Sequence, residues 1–278
     1  MAYHRPTELK DALDILADSG MQVLAGGTDI FPAHNGPELS GDVLDISGIA
    51  GLNQINQTAD GWRIGATTTW ADVANADLPA AFYGLQQAAG MIGSKQIQNS
   101  ATVAGNLCNA SPAADGVPPL LVLDAEIEIA AFETTRQLPL GEFLQGVRKT
   151  ALEAHEIVTA IHLPNHAIKG TSAFQKLGAR KYMVISISMV AARLTVNEGR
   201  ISQAAISIGA CSPVAQRLPA LEAALIGQKP NDPDGWLGAI EQQVNSLLTP
   251  IDDIRADAGY RLSSAMELVQ RTILEALQ

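Results

Sequence analysis

Two short segments concentrate the residue types that can do chemistry. AGGTD (25–29) sets two glycines, a hydroxyl and a carboxylate directly after the apolar MQVL. TVAGNLCNASPAAD (102–115) joins two apolar stretches through Thr102, Gly105, Asn106, Asn109, Ser111 and Asp115, with Cys108 among them. Glycine tolerates positive φ and has no Cβ, so a ligand can come close to the main chain. Successive amides in such a turn form a small anion nest. Thr28 adds a hydroxyl donor, and Asp29 can accept from hydroxyls or orient an amide. Each segment also has a purely structural reading. AGGTD alone is a strand-ending turn, and 102–115 is a loop between helices whose Asp115 caps the helix that follows. For the longer segment taken whole, two Asn, a Gly, a Thr and a Ser around one Cys favour a backbone that faces something polar.

Neither segment carries a familiar nucleotide fingerprint. GxxxxGKS/T is absent, and no GxGxxG follows the first strand of a βαβ unit, which disfavours a doubly wound dinucleotide fold. A diphosphate ligand would therefore need both segments, with its charge met by amides and dipoles. The remaining reactive side chains give less. Cys108 and Cys211 lie far apart in sequence and form no CxxC pair; nothing near Cys108 would lower its pKa, so it reads as small buried filler. Two cysteines cannot ligate an ordinary iron–sulfur cluster, which takes four thiolates. The five histidines show no zinc spacing, and Leu163-Pro164 breaks any helix that would align His162 with His166. No catalytic acid, base, nucleophile or metal site is expected.

The elements that would position these segments follow from pattern. Leu9, Ala12, Leu13 and Leu16 share one face of a helix over 7–18, with Thr7 as its N-cap. MQVL and VLDIS (43–47) read as strands, and 54–67 as a hairpin about Asp60-Gly61. Helices are expected at 69–77, 79–90 and, with prolines in its first turn, 117–125. EIEIAAFE (126–133) alternates as a strand, turns at Thr134-Thr135 into RQLPL, and HEIVTAIHLP (155–164) closes the first region. The link after Pro164 is the expected domain boundary. Beyond it, 172–177, 185–196 and 201–210 read as an antiparallel sheet, followed by helices near 215–227, 234–247 and 257–277. Strands then helices indicate an α+β arrangement.

Composition narrows the class. Of 278 residues, 47% are hydrophobic and 17% charged, the profile of a packed globular chain. Eighteen Lys and Arg against twenty-nine Asp and Glu give a net charge of −11 with no basic cluster, which argues against a nucleic-acid partner. No secretory pattern opens the sequence and no apolar run approaches a bilayer span, so a cytoplasmic location is expected.

A series of segments then resembles one family. VLAGGTDI (23–30), IGSKQIQNSATVAGNLCNASPAAD (92–115), DGVPPLLVLDAEIEI (115–129), HEIVTAIHLP (155–164), KLGARKYMVISISMVAA (176–192), IGACSPVAQRLPALEAAL (208–225) and DIRADAGYRLSSAMELVQR (253–271) occur in the family's order and at sensible spacing. Together they resemble the FAD-binding medium subunit of the molybdenum hydroxylases, the xanthine dehydrogenase and aerobic carbon monoxide dehydrogenase group. The resemblance implies an α+β fold: an FAD-binding domain of the vanillyl-alcohol-oxidase/PCMH type over 1–165, in two subdomains of about 1–53 and 54–165. A small C-terminal domain over 168–278, a three-stranded antiparallel sheet with helices, would follow. It implies that Val23, Leu24, Ala25, Gly26, Gly27, Thr28, Asp29 and Ile30 line the diphosphate and ribityl chain of FAD. Ala101, Thr102, Val103, Gly105 and Asn106 would approach the phosphates and the flavin side of the cleft. Asn109, Ser111 and Asp115 would hold ribityl, ribose or phosphate oxygens, Ile157 and Val158 would pack near the adenine, and Lys176 would stand near the flavin ring. On its own, a Lys after a strand reads as a solvated surface residue.

This sequence departs from the family pattern at three positions. Ala104 replaces a Gly of GGN, Gln98 replaces an Arg and removes a charge near the diphosphate loop, and Val184 replaces an Asp associated with the flavin environment. The function implied is an FAD-dependent oxidoreductase subunit. It would take electrons from 2Fe–2S clusters of a small partner subunit, fed by a molybdopterin-binding large subunit, and pass them to NAD or oxygen in a dimer of heterotrimers. The Pro/Gly-rich stretch 31–41 is a contact loop or a solvated connector. A stand-alone FAD-dependent reductase or oxidase, and a flavin-free scaffold subunit, are the alternatives.

Overall fold

A computed structural model describes residues 2–17, 20–34, 36, 41–230 and 234–278. The chain forms three principal sheets in sequence order. The first is small and parallel: Val43–Asp45 lies between Tyr3–His4 and Gln22–Leu24. Helix Leu9–Ala17 covers it, burying Ala12, Leu13 and Leu16, the stripe that the 3.6-residue period requires. Because Gln22–Leu24 ends at Gly26-Gly27, the sheet aims its glycine turn away from this core.

The second sheet has five antiparallel strands in the order Ile55–Thr58, Gly61–Gly65, Ile157–Pro164, Glu126–Ala130, Thr135–Pro139. The hairpin turns at Asp60-Gly61 as its sequence demands; Gly61 has φ +147°, and a Cβ there would stand 2.0 Å from the Leu163 carbonyl oxygen. Ile127 and Ile129 point into the core while Glu126 and Glu128, which alternate with them, stay partly exposed. Between hairpin and strand Glu126–Ala130 come helices Trp70–Asn75, Tyr83–Met91, Lys95–Ser100, Val103–Asn109 and Val117–Val122. Thr69 and Asp72 form a reciprocal capping box that fixes the start of the first of these.

The third sheet runs Thr171–Leu177, Ser188–Asn197, Arg200–Gly209, Gln216–Arg217, all antiparallel. It has four strands where three were expected, the fourth a two-residue pairing that the sequence pattern is too short to signal. Helix Ala258–Ala276 lays Ala265, Val269, Thr272, Ile273 and Ala276 on this sheet, and Asp257 caps it by accepting the Tyr260 amide at 2.7 Å. Helices Pro219–Leu225 and Asp234–Leu247 complete the layer; the first is shorter than the 215–227 expected because Gln216–Arg217 joins the sheet. Within the 31–41 stretch, 31–33 belong to a short helix, Ile30–Ala33, while 35 and 37–40 lie outside the described residues.

Candidate functional site

A cleft of about 560 Å³ lies between the first sheet and the helices that follow the hairpin. One wall is the glycine turn. Gly27 sits at φ +70°, in the left-handed region where a side chain is strained, and a Cβ there would meet the Phe31 ring at 2.6 Å. Gly26 has no room for any side chain, because its Cβ would be 2.0 Å from the Ser100 carbonyl oxygen. The glycine turn thus touches the main chain at Ser100 and Ala101, just ahead of the 102–115 segment. Among the described residues no acceptor takes the amide protons of Gly26, Gly27, Thr28, Asp29 and Ile30. A turn with five amides free of protein acceptors leaves them available to an acceptor from outside the chain.

The opposite wall differs from expectation. The 102–115 segment is not a loop throughout: Val103–Asn109 is a helix, capped by the Thr102 hydroxyl on the Gly105 amide at 3.0 Å and ended by Ala110 in the left-handed conformation. The same small residues that mark a loop also let a helix lie close to a neighbouring backbone, and spacing alone does not separate the two. Asp115 does not cap helix Val117–Val122 either. Gly116 takes the N-cap position, and the Asp115 carboxylate instead receives Lys176 Nζ at 2.6 Å and the Ser186 hydroxyl at 2.5 Å. Lys176 is buried, not solvated, and donates a second bond to the Val184 carbonyl at 3.2 Å. Burial pushes the Asp115 carboxyl above its ordinary range, and Lys176 and Ser186 only partly offset it.

Of the residues proposed from sequence, Val23, Ala25 to Ile30, Ala101, Thr102, Gly105, Asn106, Asn109, Ile157 and Val158 line the cleft. Leu24 and Val103 are buried behind it in the hydrophobic cores. Ser111 faces a separate cavity, and Asp115 with Lys176 forms the buried pair just described. Gln98 turns away from the cleft: its amide nitrogen donates to the Gly90 and Ile92 carbonyls, each at 3.0 Å, closing the chain after helix Tyr83–Met91. The charge expected to be missing near the turn therefore belongs to a residue that does not face it. Ala104, by contrast, is on the wall.

Cys108 corrects another expectation. It is exposed on the cleft surface and not buried filler, because helix Val103–Asn109 turns this position outward. Protein crowds it on the other sides, and this desolvation pushes the thiol up to about 12, so it stays protonated.

Sequence reading missed the third wall, Leu152 to Ala154 and Glu156. The Arg136 guanidinium grips Glu156 through two 2.7 Å bonds and also donates to the Ala151 carbonyl, while Glu156 accepts the Glu153 amide. The Arg136 bonds hold the Glu156 carboxyl below the usual glutamate range although burial opposes its ionisation. Across the mouth, Asn109 donates to Asp29 at 2.8 Å and accepts from Arg148, which also donates to the Asn109 carbonyl. Among the described residues no lysine or arginine lines the cleft, and its charged residues are Asp29, Glu153 and Glu156. Any anion held here must be bound by amides and hydroxyls.

Two domain families match the chain. Residues 1–166 match the FAD binding domain in molybdopterin dehydrogenase, and 172–276 the CO dehydrogenase flavoprotein C-terminal domain. The chain is 32% identical to the xanthine dehydrogenase FAD-binding subunit of Escherichia coli O157:H7, over 99% of this chain and 96% of that one. It is 30% identical to the nicotine 6-hydroxylase medium subunit of Paenarthrobacter nicotinovorans, with the same coverage. Among solved structures, carbon monoxide dehydrogenase from Hydrogenophaga pseudoflava superposes with a TM-score of 0.90 at 25% identity, covering 99% of this chain and 96% of that one. Quinoline 2-oxidoreductase from Pseudomonas putida 86 gives 0.89 at 27% identity, covering 100% and 97%.

Proposed function

We infer the function from the premise that this chain belongs to the molybdenum hydroxylase family of FAD-binding medium subunits. It is an FAD-binding subunit of an oxidoreductase. The cleft's donor set fits the cofactor. A diphosphate needs several donors within a short arc, and the turn Gly26 to Ile30 offers five unpaired amides with the Thr28 hydroxyl beside them. That turn is the observation that carries the reading. The volume is also in the range of sites that enclose an organic ligand, roughly 300–1,000 Å³.

The residues then take distinct tasks. Gly26 and Gly27 bring the main chain to the diphosphate, and the Gly26–Ser100 contact keeps the two walls in register. Thr102, Gly105, Asn106 and Asn109 supply the second wall, with Ile157 and Val158 closing the adenine end. Val23, Ala25 and Ala101 shape the floor, backed by Leu24 and Val103. Ser111, Asp115 and Lys176 belong to the flavin end, where the buried Asp115–Lys176 pair places a fixed dipole. FAD, when bound, supplies the one- and two-electron chemistry; the protein supplies position and electrostatics.

The assembly proposed is a heterotrimer, paired into a dimer, with a molybdopterin-binding large subunit and a small subunit carrying 2Fe–2S clusters. Electrons would arrive from those clusters and leave to an acceptor such as NAD or oxygen. The domains assigned are 1–165, with subdomains of about 1–53 and 54–165, and 168–278. No helix among the described residues is long and apolar enough to cross a membrane, and the proposed location is the cytoplasm. The match over nearly the whole length of medium subunits supports this reading over a stand-alone flavoenzyme.

A visible absorption spectrum of the purified chain, followed by heat release and identification of the cofactor, is the test. FAD near one per chain is expected, either on purification or after addition. A chain that takes up no FAD, or that prefers FMN, would overturn the diphosphate role of the glycine turn.

A further inference from the structure

Three side chains in series cross the mouth of the cleft. Asp29 stands near the end of the glycine turn, and Asn109 is the last residue of helix Val103–Asn109 on the opposite wall. The Asn109 amide nitrogen donates to the Asp29 carboxylate at 2.8 Å, and its amide oxygen accepts from Arg148. An asparagine amide has one donor end and one acceptor end. A carboxylate takes only the first and a guanidinium only the second, so the two charges fix which way the amide points. The same Arg148 Nη1 also donates to the Asn109 carbonyl at 3.1 Å, an oxygen that the end of the helix leaves without an intrahelical partner.

Arg148 is itself firmly placed. It lies at the tip of a hairpin in which Leu144–Gly146 pairs with Lys149–Thr150, and buried Phe143 and Leu144 anchor the base. Arg148 has φ +56° and Ala110 has φ +45°, both left-handed without being glycine, and the Arg148 amide donates to the Ala110 carbonyl at 2.9 Å. Such residues are uncommon and persist where their surroundings over-determine them. Two of them bonded to each other make a rigid contact between the hairpin tip and the helix end. Among the described residues Arg148 has no carboxylate partner; its side chain donates to the oxygens of Asn109. On its far side it lines a junction cavity of about 320 Å³, together with Arg255, Arg261 and Asp253. The Asn109–Arg148 contact therefore stands between that cavity and the cleft.

We propose that Arg148 is a positioning residue that gates the cofactor: by orienting Asn109 it keeps the bridge to Asp29 shut across the cleft mouth, and FAD enters and leaves only when that bridge opens. The inference rests on the flavin reading of the cleft and assigns a task to a residue that does not line it. A gate raises the barrier to entry and to exit together, so it slows both rates by the same factor and leaves affinity unchanged. A residue that simply holds the cofactor acts on release and on affinity, with little effect on entry.

Stopped-flow flavin fluorescence on the full chain separates the two, measuring uptake of added FAD and its release into an excess of a scavenging apoflavoprotein. Arg148→Met, at an exposed position, should speed uptake and release at least tenfold each and change the dissociation constant less than threefold. Arg148→Lys keeps one cationic nitrogen for the two Asn109 oxygens and should return both rates to within threefold of wild type. Unchanged rates in Arg148→Met would overturn the gate. So would faster release with unchanged uptake and weakened affinity, which would make Arg148 part of the binding surface, or Arg148→Lys rates equal to those of Arg148→Met. A wild-type chain that takes up no FAD would sink the flavin reading and the gate with it, whereas any of the other adverse results in FAD-binding chains would sink the gate alone.

Discussion

The cleft and the junction cavity are walled by opposite kinds of polar group. The cleft has no cation on its walls and three carboxylates, and relies on a turn of unpaired amides. The cavity presents three guanidiniums around one aspartate. Amides are fixed by the backbone, so an acceptor must fall at set positions, and they cost less to desolvate than a full charge. Guanidiniums attract at longer range and can pair with oxygens through two parallel bonds, but they are screened by salt and are neutralised by nearby carboxylates. Here Asp253 does that: the Arg255 amide and the two arginine side chains hold its carboxyl well below the ordinary aspartate range.

The largest expected effect probes the residue that lies between the two. Lys176 is a buried cation that lines neither space, tied to Asp115. Lys176→Met leaves Asp115 buried without its partner and should cost about 3–5 kcal/mol of unfolding free energy at neutral pH. Because the Asp115 carboxyl is already raised, the loss should be full above its folded pKa. It should shrink as pH falls through that value toward the ordinary aspartate range, since the folded state then takes up a proton. Urea denaturation at several pH values measures this; a penalty independent of pH would show that the pair is not the cause.

A smaller effect isolates the cleft. Gly27→Val forces a β-branched residue into positive φ against the Phe31 ring. It should raise the dissociation constant for FAD at least tenfold in a fluorescence titration. An unchanged dissociation constant would mean that the glycine turn does not hold the cofactor.

The smallest concerns the wall that arginine and glutamate hold together. Glu156→Gln should cost about 1 kcal/mol at pH 7. The Glu156 carboxyl is depressed in the folded protein, so its contribution is present above the ordinary glutamate range and is lost as pH falls through the folded value. The wild-type and variant stability curves should therefore converge below about pH 4. Curves that stay parallel would assign the loss to packing rather than to the Arg136 pair.

Much of the scaffold was legible in the sequence. Alternation in EIEIA, the Asp60-Gly61 hairpin and the helical stripe ending at Ala276 report local geometry that neighbours in the chain impose. The glycine turn was legible for the same reason: a left-handed residue after a strand requires Gly27 wherever the rest of the chain lies. Harder to read was Val103–Asn109, whose Gly and Asn argue for a loop while its Thr102 cap and its docking on the 68–70 backbone make it a helix.

What the sequence determined by itself, then, was the set of elements, the turn that exposes its amides and the family these segments announce. Tertiary structure alone decided the partners of polar groups distant in sequence. Asp115 meets Lys176 across 61 positions instead of capping the next helix, Gln98 closes a neighbouring turn instead of facing the cleft, and Arg148 reaches Asn109. The physical reason is burial. A charged or amide side chain takes whichever partner the packed core leaves within reach, and only the packing of distant segments determines which partner that is.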